Sequence, residues 1–428
     1  MSQFLSIANL FHVNILSLRA FCREVGHIAD RQDEVIKERP WILTATYLDT
    51  PIETLKSEAA EWEAEMGINS SELWDPTNLT PQQQQAVQEL NAQMTDLAKS
   101  DPKKAADAFA FLDSLTTIVP IQGELLRRGA LFNLWSYFET LFTDLSCTYY
   151  LTYPEALSER SLKLSELQTF SSVQEAIAYL ATQEAEAVQR GSFDDKLKHF
   201  GKQLSIDLKP LASYRDEISE IALRRNLLTH NQGIVNKTYL TQAPRNYIKR
   251  EGLRLGQRLE VTESYLSGAV DLIYLYGFIL LQQCWRKWEK QNSLQADYTL
   301  FYKGIYQALV DERYEVASEL SKYAEGLKSV NEGVMHGIIV NHAIALRELD
   351  ERSAMLKLLR KHNIEAWGQR YQIASHALRG EYEALFRLLP KAIDAGEVQH
   401  ANLEHWPLFK PVRTDPRFIL LLDKGANP

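Results

Sequence analysis

Apolar positions along the chain recur three and four residues apart almost from end to end, so nearly every segment reads as helix. Residues 1–38 carry this period, and Pro40 interrupts it. The stretch PIETLKSEAAEWEAEMG (51–67) opens on proline and closes on glycine, the asymmetry of a helix with both ends marked. In TPQQQQAVQELNAQM (80–94), Thr80 stands as N-cap, Pro81 takes the first helical position and Gln83 closes a capping box. The glutamines at 82–85 read as a solvated helix face. No motif in this first region, 1–120, assigns it a chemistry.

From about 121 the helices become longer and more apolar. One spans 123–153 and is stopped by Pro154; a second spans 171–191, with Ser172 and Glu175 as its capping box. A third element covers FDDKLKHFGKQL, breaks near Pro210, and resumes as ASYRDEISEIALRRNLLTH until Asn231 and Gly233 end it. The last runs from about 258 to 288. Four such helices predict an up-and-down bundle over 121–290.

The remainder, 295–428, is built of shorter helices that resemble one another. ELDERSAMLKLLRK (348–361) and LRGEYEALFRLLPK (378–391) align without gaps at a spacing of 30, matching at Glu351/Glu381, Ala354/Ala384, Leu358/Leu388, Leu359/Leu389 and Lys361/Lys391. VDERYEVASELSKYA (310–324) reads as a diverged earlier copy. Small residues where paired helices approach closely are the pattern of an α-solenoid, and the region resembles tetratricopeptide-type repeats. That resemblance implies a protein partner or trigger bound at the repeats; the alternative is that these helices only pack on the bundle. The expected fold class is therefore all-α: a four-helix bundle flanked by an N-terminal helical region and a C-terminal solenoid.

Composition changes this picture little. The chain is 45% apolar and 24% charged, as in globular proteins. Cys22, Cys147 and Cys284 form no CxxC pair, so neither a zinc site nor a disulfide framework is indicated. With no signal-peptide pattern at the start, the expectation is a cytoplasmic location. The longest apolar run, LIYLYGFILL (272–281), is ten residues and reads as a buried helix, so no membrane partner is expected.

Charge is more informative. The net charge of −9 argues against indiscriminate nucleic-acid binding, but its distribution is uneven. Residues 121–290 hold 21 basic and 20 acidic side chains out of 47 and 56 in the whole chain, leaving 26 against 36 elsewhere. Within 224–258, Arg224, Arg225, Lys237, Arg245, Lys249, Arg250, Arg254 and Arg258 face a lone acid, Glu251. This basic run begins at RRNLLTH (224–230), where polar residues are threaded around Leu227 and Leu228 at the end of an amphipathic helix.

On a helix Asn226 and His230 share a face, as do Arg225 and Thr229. Arg225 and His230 stand about 140° apart round the axis at roughly 100° per residue. They converge only if the helix ends near His230 or if a second copy approaches.

RNLLTH fits the R-[N/D/H]-x3-H form of the motif of HEPN domains, and ALRRNLLTHNQGIVNKTYL (222–240) resembles the stretch in which such a helix ends in H-N-x-G before a V-x-x-x-Y-L segment. The resemblance extends over roughly 121–288 and includes the four-helix pattern. Arg370–His376 fits the looser motif in the repeat region but lacks the asparagine and the basic tail, and reads as structural.

HEPN members are typically metal-independent endoribonucleases that act as dimers, so the resemblance implies a homodimer through the bundle, no metal and no cofactor. It makes His230 the acid/base and Arg225 the clamp on the transition-state charge, roles that suit a group titrating near neutrality and a permanently charged guanidinium. Asn226 would orient the imidazole or bind phosphate, and Glu139 matches the acidic position that contacts the motif arginine. Arg224, Lys237, Arg245, Lys249, Arg250, Arg254 and Arg258 would then track an RNA backbone, tRNA or mRNA, while Tyr239 or Tyr247 stacks a base. Arg250, Arg254 and Arg258 also suit a solvated helical stripe at four-residue spacing. The expected role is a regulated ribonuclease of a toxin or anti-phage system; the alternatives are a non-catalytic helical scaffold and an RNA-binding module without cleavage.

Overall fold

A computed structural model describes residues 2–48, 95–106 and 122–426, with scattered positions between 51 and 92. The helices expected at 51–67 and 80–94 lie largely outside the described residues. Among the described residues every regular element is helical, and the nearest approach to a sheet is one antiparallel bridge, Ile234 to Arg258. The all-α expectation holds.

The chain divides into two compact units, one of residues 1–20 with 128–428 and one of residues 21–127. This differs from the boundaries expected near 120 and 290. The reason lies in α1 (Gln3–Leu48), which runs on through Pro40, where the sequence pattern breaks, and whose first turns belong to the larger unit.

In the smaller unit the buried Asp33 carboxylate accepts from the backbone N–H groups of Gln122 and Gly123, at 2.6 and 2.7 Å. Those are orphan donors of α2 (Gln122–Thr152), so Asp33 caps that helix from a distant part of the chain. Asp30 pairs with Arg127 at 2.6 Å beside it. A side chain at Gly123 would meet the Asp33 carboxylate at 2.9 Å, which explains the glycine.

In the larger unit, α3 (Val173–Arg190) starts on Ser172, whose hydroxyl accepts from the Glu175 N–H as the capping pattern requires. After α4 (Phe193–Lys198) the chain passes through a π-helical turn and a 3-10 turn (Lys209–Tyr214) into α5 (Arg215–Asn231). Two short helices follow, α6 (Lys237–Gln242) and α7 (Arg245–Glu251). Then comes α8 (Glu263–Trp288), the centre of the unit, with Tyr274, Tyr276, Phe278 and Trp285 fully buried.

Aromatic side chains assemble around α8. Phe138 of α2 meets Tyr276 edge-on at 5.7 Å, and Phe142 meets Phe200 at 5.1 Å. Phe4 of α1 stacks on Trp285 at 5.6 Å. Such pairs contribute about 0.5–1.5 kcal/mol each beyond the area they bury. Gly277 is where Phe11 of α1 and Leu141 of α2 press against the α8 backbone, leaving no room for a Cβ. By length and composition, residues 3–34 and α8 are apolar enough to cross a bilayer; most of the apolar stretch of α8 is buried within the protein.

The C-terminal helices continue the same unit. α9 (Ser293–Thr299) runs into a π-helical stretch, Leu300–Tyr306. It is followed by α10 (Tyr314–Glu325), α11 (Glu332–Glu348), α12 (Arg352–His362), α13 (Gln369–Arg379), α14 (Tyr382–Asp394), α15 (His400–His405) and α16 (Pro416–Ala426). The pair Arg313–Asp271 at 2.6 Å and the pair Arg286–Asp297 at 2.7 Å tie these helices to α8. The aligned segments at 348–361 and 378–391 share a local geometry. Each helix is entered through a left-handed residue, Asp350 (φ 60°) or Gly380 (φ 79°). The next residue donates to a carbonyl five positions back, Glu351 to Leu346 and Glu381 to His376, both at 2.9 Å or less.

Candidate functional site

The motif lies on the last two turns of α5. That helix ends one residue past His230, with Gln232 in the left-handed region (φ 53°) and Gly233 after it (φ 84°). The N–H groups of Gln232 and Gly233 both return to the Leu227 carbonyl, the second at 3.2 Å, so the left-handed ending satisfies a carbonyl of the last turn. Arg128 of α2 donates to the Leu228 carbonyl at 3.1 Å, placing a cation at the negative end of the helix. Beyond the helix, residues 233–235 run against 256–259 through backbone bonds of 2.8–2.9 Å. A side chain at Gly233 would lie 2.7 Å from the Leu259 carbonyl oxygen, so positive φ and crowding both select glycine there.

Arg225, Asn226 and Glu139 line one open cleft of about 790 Å³, together with Trp135, Lys196 and Arg215. The Arg225 Nη1 donates to Asn226 Oδ1 at 3.0 Å, and Thr229 Oγ1 donates to the Arg225 carbonyl at 2.8 Å. Among the described residues no carboxylate pairs with Arg225. The cleft's other cations are engaged: Arg215 with Asp194 at 2.8 Å, Lys196 with Glu139 at 3.3 Å, Arg190 with Glu186 at 3.9 Å. Asp216 also lines the cleft, so it is not uniformly basic.

Glu139 lines the cleft with the motif arginine, but its direct partner is Lys196 and not Arg225, the contact the resemblance implies. That lysine is 1% exposed and also donates to the carbonyls of Gln189 and Gly191 at 2.8 and 2.6 Å. Lys196 lies outside the motif, but a signal for its burial is present: Phe193, Lys196, Leu197 and Phe200 stand at the spacing of one buried helical face.

His230 is exposed and does not line this cleft. Because α5 stays helical through it, Arg225 and His230 remain about 140° apart and roughly 7.5 Å apart along the axis. Asn226, expected to orient the imidazole or to bind phosphate, accepts from Arg225. One copy of the chain does not bring the three residues into one pocket.

Two residues expected to touch RNA are interior. Arg224 is buried: its Nε donates to Glu220 at 2.8 Å, Nη1 to the Glu260 carbonyl at 3.1 Å and Nη2 to the Tyr247 hydroxyl at 2.6 Å, while the guanidinium lies 3.9 Å from the Tyr265 ring centroid. Burial works to lower its pKa, but Tyr265 and Glu220 together hold it above the ordinary arginine value. Tyr239 is buried too and donates to Glu220 at 2.7 Å; Tyr265 donates to the other Glu220 oxygen at 2.7 Å. Burial and the Glu220 charge push the half-buried Tyr247 up to about 12. Arg224 and Tyr239 are thus struts that hold α5 against α6, α7 and α8, and their polar atoms are spent inside the protein.

Lys237, Arg245, Lys249, Arg250, Arg254 and Arg258 are all exposed. They do not form a helical stripe, because α7 ends at Glu251 and Gly252 turns the chain with φ 60°. Arg250 pairs with Glu251 at 3.0 Å and lies over the Tyr247 ring at 5.1 Å. Compared with protein-family models, curated proteins and solved structures, the chain matches none.

Proposed function

We propose that the chain is an endoribonuclease of HEPN type that cleaves without a metal and completes its site from two copies. The observation that carries this reading is an uncompensated guanidinium: among the described residues Arg225 reaches only a neutral amide, in a cleft whose other cations pair with carboxylates. A fixed positive charge with free N–H donors suits a phosphate, and suits still better the charge of a phosphorane-like transition state. His230, exposed on the same helix and one residue from its end, would take the 2′-hydroxyl proton or protonate the leaving 5′-oxygen. Since the two cannot meet within one helix, the Arg225 of one copy works beside the His230 of another. The exposed cations from Lys237 to Arg258 then guide tRNA or mRNA by backbone contacts, and the solenoid-like helices after 295 receive a protein partner or trigger. A regulated effector of a toxin or anti-phage system, acting in the cytoplasm, is the role this combination fits.

A second reading, a non-catalytic scaffold or RNA-binding module, draws on the separation of Arg225 from His230 in the single chain. Purified protein, Arg225→Ala and His230→Ala are incubated with tRNA and with mRNA in EDTA. Cleavage by the wild type that both substitutions abolish supports the nuclease; RNA retention without cleavage by all three supports the binding module.

A further inference from the structure

The second arginine–histidine pair, Arg370 and His376, borders a different cavity through its arginine. His376 is engaged with Glu381 at 2.7 Å, whereas the Arg370 guanidinium lies over the Trp406 ring, 5.0 Å from its centroid. Both Arg370 and Trp406 line a pocket of about 540 Å³ among the C-terminal helices, within the size range of small-molecule sites. Its position depends on Gly337, where a Cβ would meet the Phe301 ring at 2.7 Å; α11 approaches the 300–306 stretch closely because it has none.

The groups left unspent in this pocket are mostly donors. Asn341 lines it, is 2% exposed, and its Nδ2 has no hydrogen-bond partner among the described residues. Asn331 and Asn402 also line it, and each has committed its Oδ1 to a helix start, accepting from Val334 and Gln399 at 3.2 and 3.1 Å. What Asn331 and Asn402 retain is N–H. Glu397 Oε2 accepts from the Arg370 backbone N–H at 3.1 Å, so its carboxylate supplies an acceptor among the donors. Around these polar groups stand flat surfaces. Tyr298 and Tyr302 stack at 6.1 Å with 17° between their planes, both exposed at the mouth.

We propose that this pocket binds a mononucleotide carrying an oxo-substituted base of the guanine or uracil kind. The base stacks on tyrosine, its carbonyl oxygen accepts from Asn341, its ring N–H donates to Glu397, and its phosphate meets Arg370. An extended peptide presents donors and acceptors in equal number and matches the unspent donors less well. The site is separate from the Arg225 cleft and stands whether or not that cleft cleaves RNA.

Calorimetric titration of the full-length protein with GMP, UMP, AMP and CMP tests this. GMP or UMP should bind at least about tenfold more tightly than AMP, the discrimination of a mispaired polar edge. Asn341→Asp and Arg370→Gln should each weaken that binding about tenfold or more. Arg370 is exposed, so its substitution decides the matter if the buried one fails to fold. A short oligouridylate distinguishes a free nucleotide from the end of an RNA chain. Absence of binding by all four nucleotides at about 1 mM, equal binding of AMP, or binding indifferent to Arg370→Gln overturns the proposal.

Discussion

Replacing Glu220 by alanine should destabilise the protein more than any change to the exposed cations nearby. Glu220 is 2% exposed in its side chain and accepts three bonds of 2.7–2.8 Å, from Arg224, Tyr239 and Tyr265. Its loss leaves Arg224 with the Glu260 carbonyl and the Tyr247 hydroxyl but no counter-charge. Removing one member of a buried pair costs about 3–5 kcal/mol. The adjoining cavity of about 670 Å³, lined by both residues, admits water to the stranded guanidinium, so the low end, about 3 kcal/mol, is expected. Arg224→Met strands the carboxylate instead and should cost a comparable amount. The double variant should cost less than the sum by about 2 kcal/mol or more, since it leaves no unpaired charge. Urea unfolding followed by far-ultraviolet circular dichroism measures all three. If both single variants lie within about 0.5 kcal/mol of wild type while Arg224→Met weakens RNA binding, Arg224 is a surface contact and the strut assignment fails.

Other consequences follow from the same geometry. His12 is buried with Nδ1 2.9 Å from the Tyr274 hydroxyl, which itself donates to the Lys303 carbonyl; burial, with Lys303 nearby, lowers its pKa to about 4. The unfolded chain therefore binds this proton near pH 6.5 and the folded chain only near 4, so His12 contributes stability above that window and loses it as pH falls, by roughly 3 kcal/mol in all. A wild-type urea midpoint whose fall between pH 7 and 4.5 is matched by His12→Phe would contradict this. For RNA binding, Lys249→Ala with Arg254→Ala should flatten the slope of log K against log salt by about 1.4 on single strands, with little change in sequence preference; an unchanged slope removes both from the RNA path. If two copies complete the site, activity per chain should fall as the protein is diluted below its dimer dissociation constant, and constant specific activity of a sedimenting monomer would refute the two-copy site.

Much of the helical layout was legible because it follows local rules. Pro154 ends α2 near the expected place, and Ser172 caps α3 as its sequence pattern requires. The site was harder to read for a physical reason. Arg224 and Arg225 are adjacent and identical in type, yet a 100° turn sends one into the core and the other into the cleft. A signal was present: Glu220 precedes Arg224 by four residues, the favoured orientation for a helical ion pair, and both fall on the face shared with Leu227. Composition counted Arg224 among surface cations because it counts charge and ignores facing. The Asp33 cap on α2 and the insertion of Phe11 at Gly277 join residues far apart in the chain, and nothing in local periodicity marks them.

The way α5 is held bears on how such a site would be switched. Its last turn is fixed by the bonds of Gln232 and Gly233 to the Leu227 carbonyl, by Arg128 on the Leu228 carbonyl and by the Arg224 network behind it. Swinging His230 toward Arg225 within one chain would mean unwinding that turn, breaking these bonds together and exposing Leu227 and Leu228, which are 4% and 2% exposed. Burying each leucine is worth about 1.5–3 kcal/mol, so the unwound state lies several kcal/mol above the folded one and is sparsely populated. Bringing up a second copy demands none of this. It leaves each helix intact and adds only the missing face, which places control of the proposed activity in association. A partner on the C-terminal helices would then act by favouring or blocking the pairing of two preformed halves.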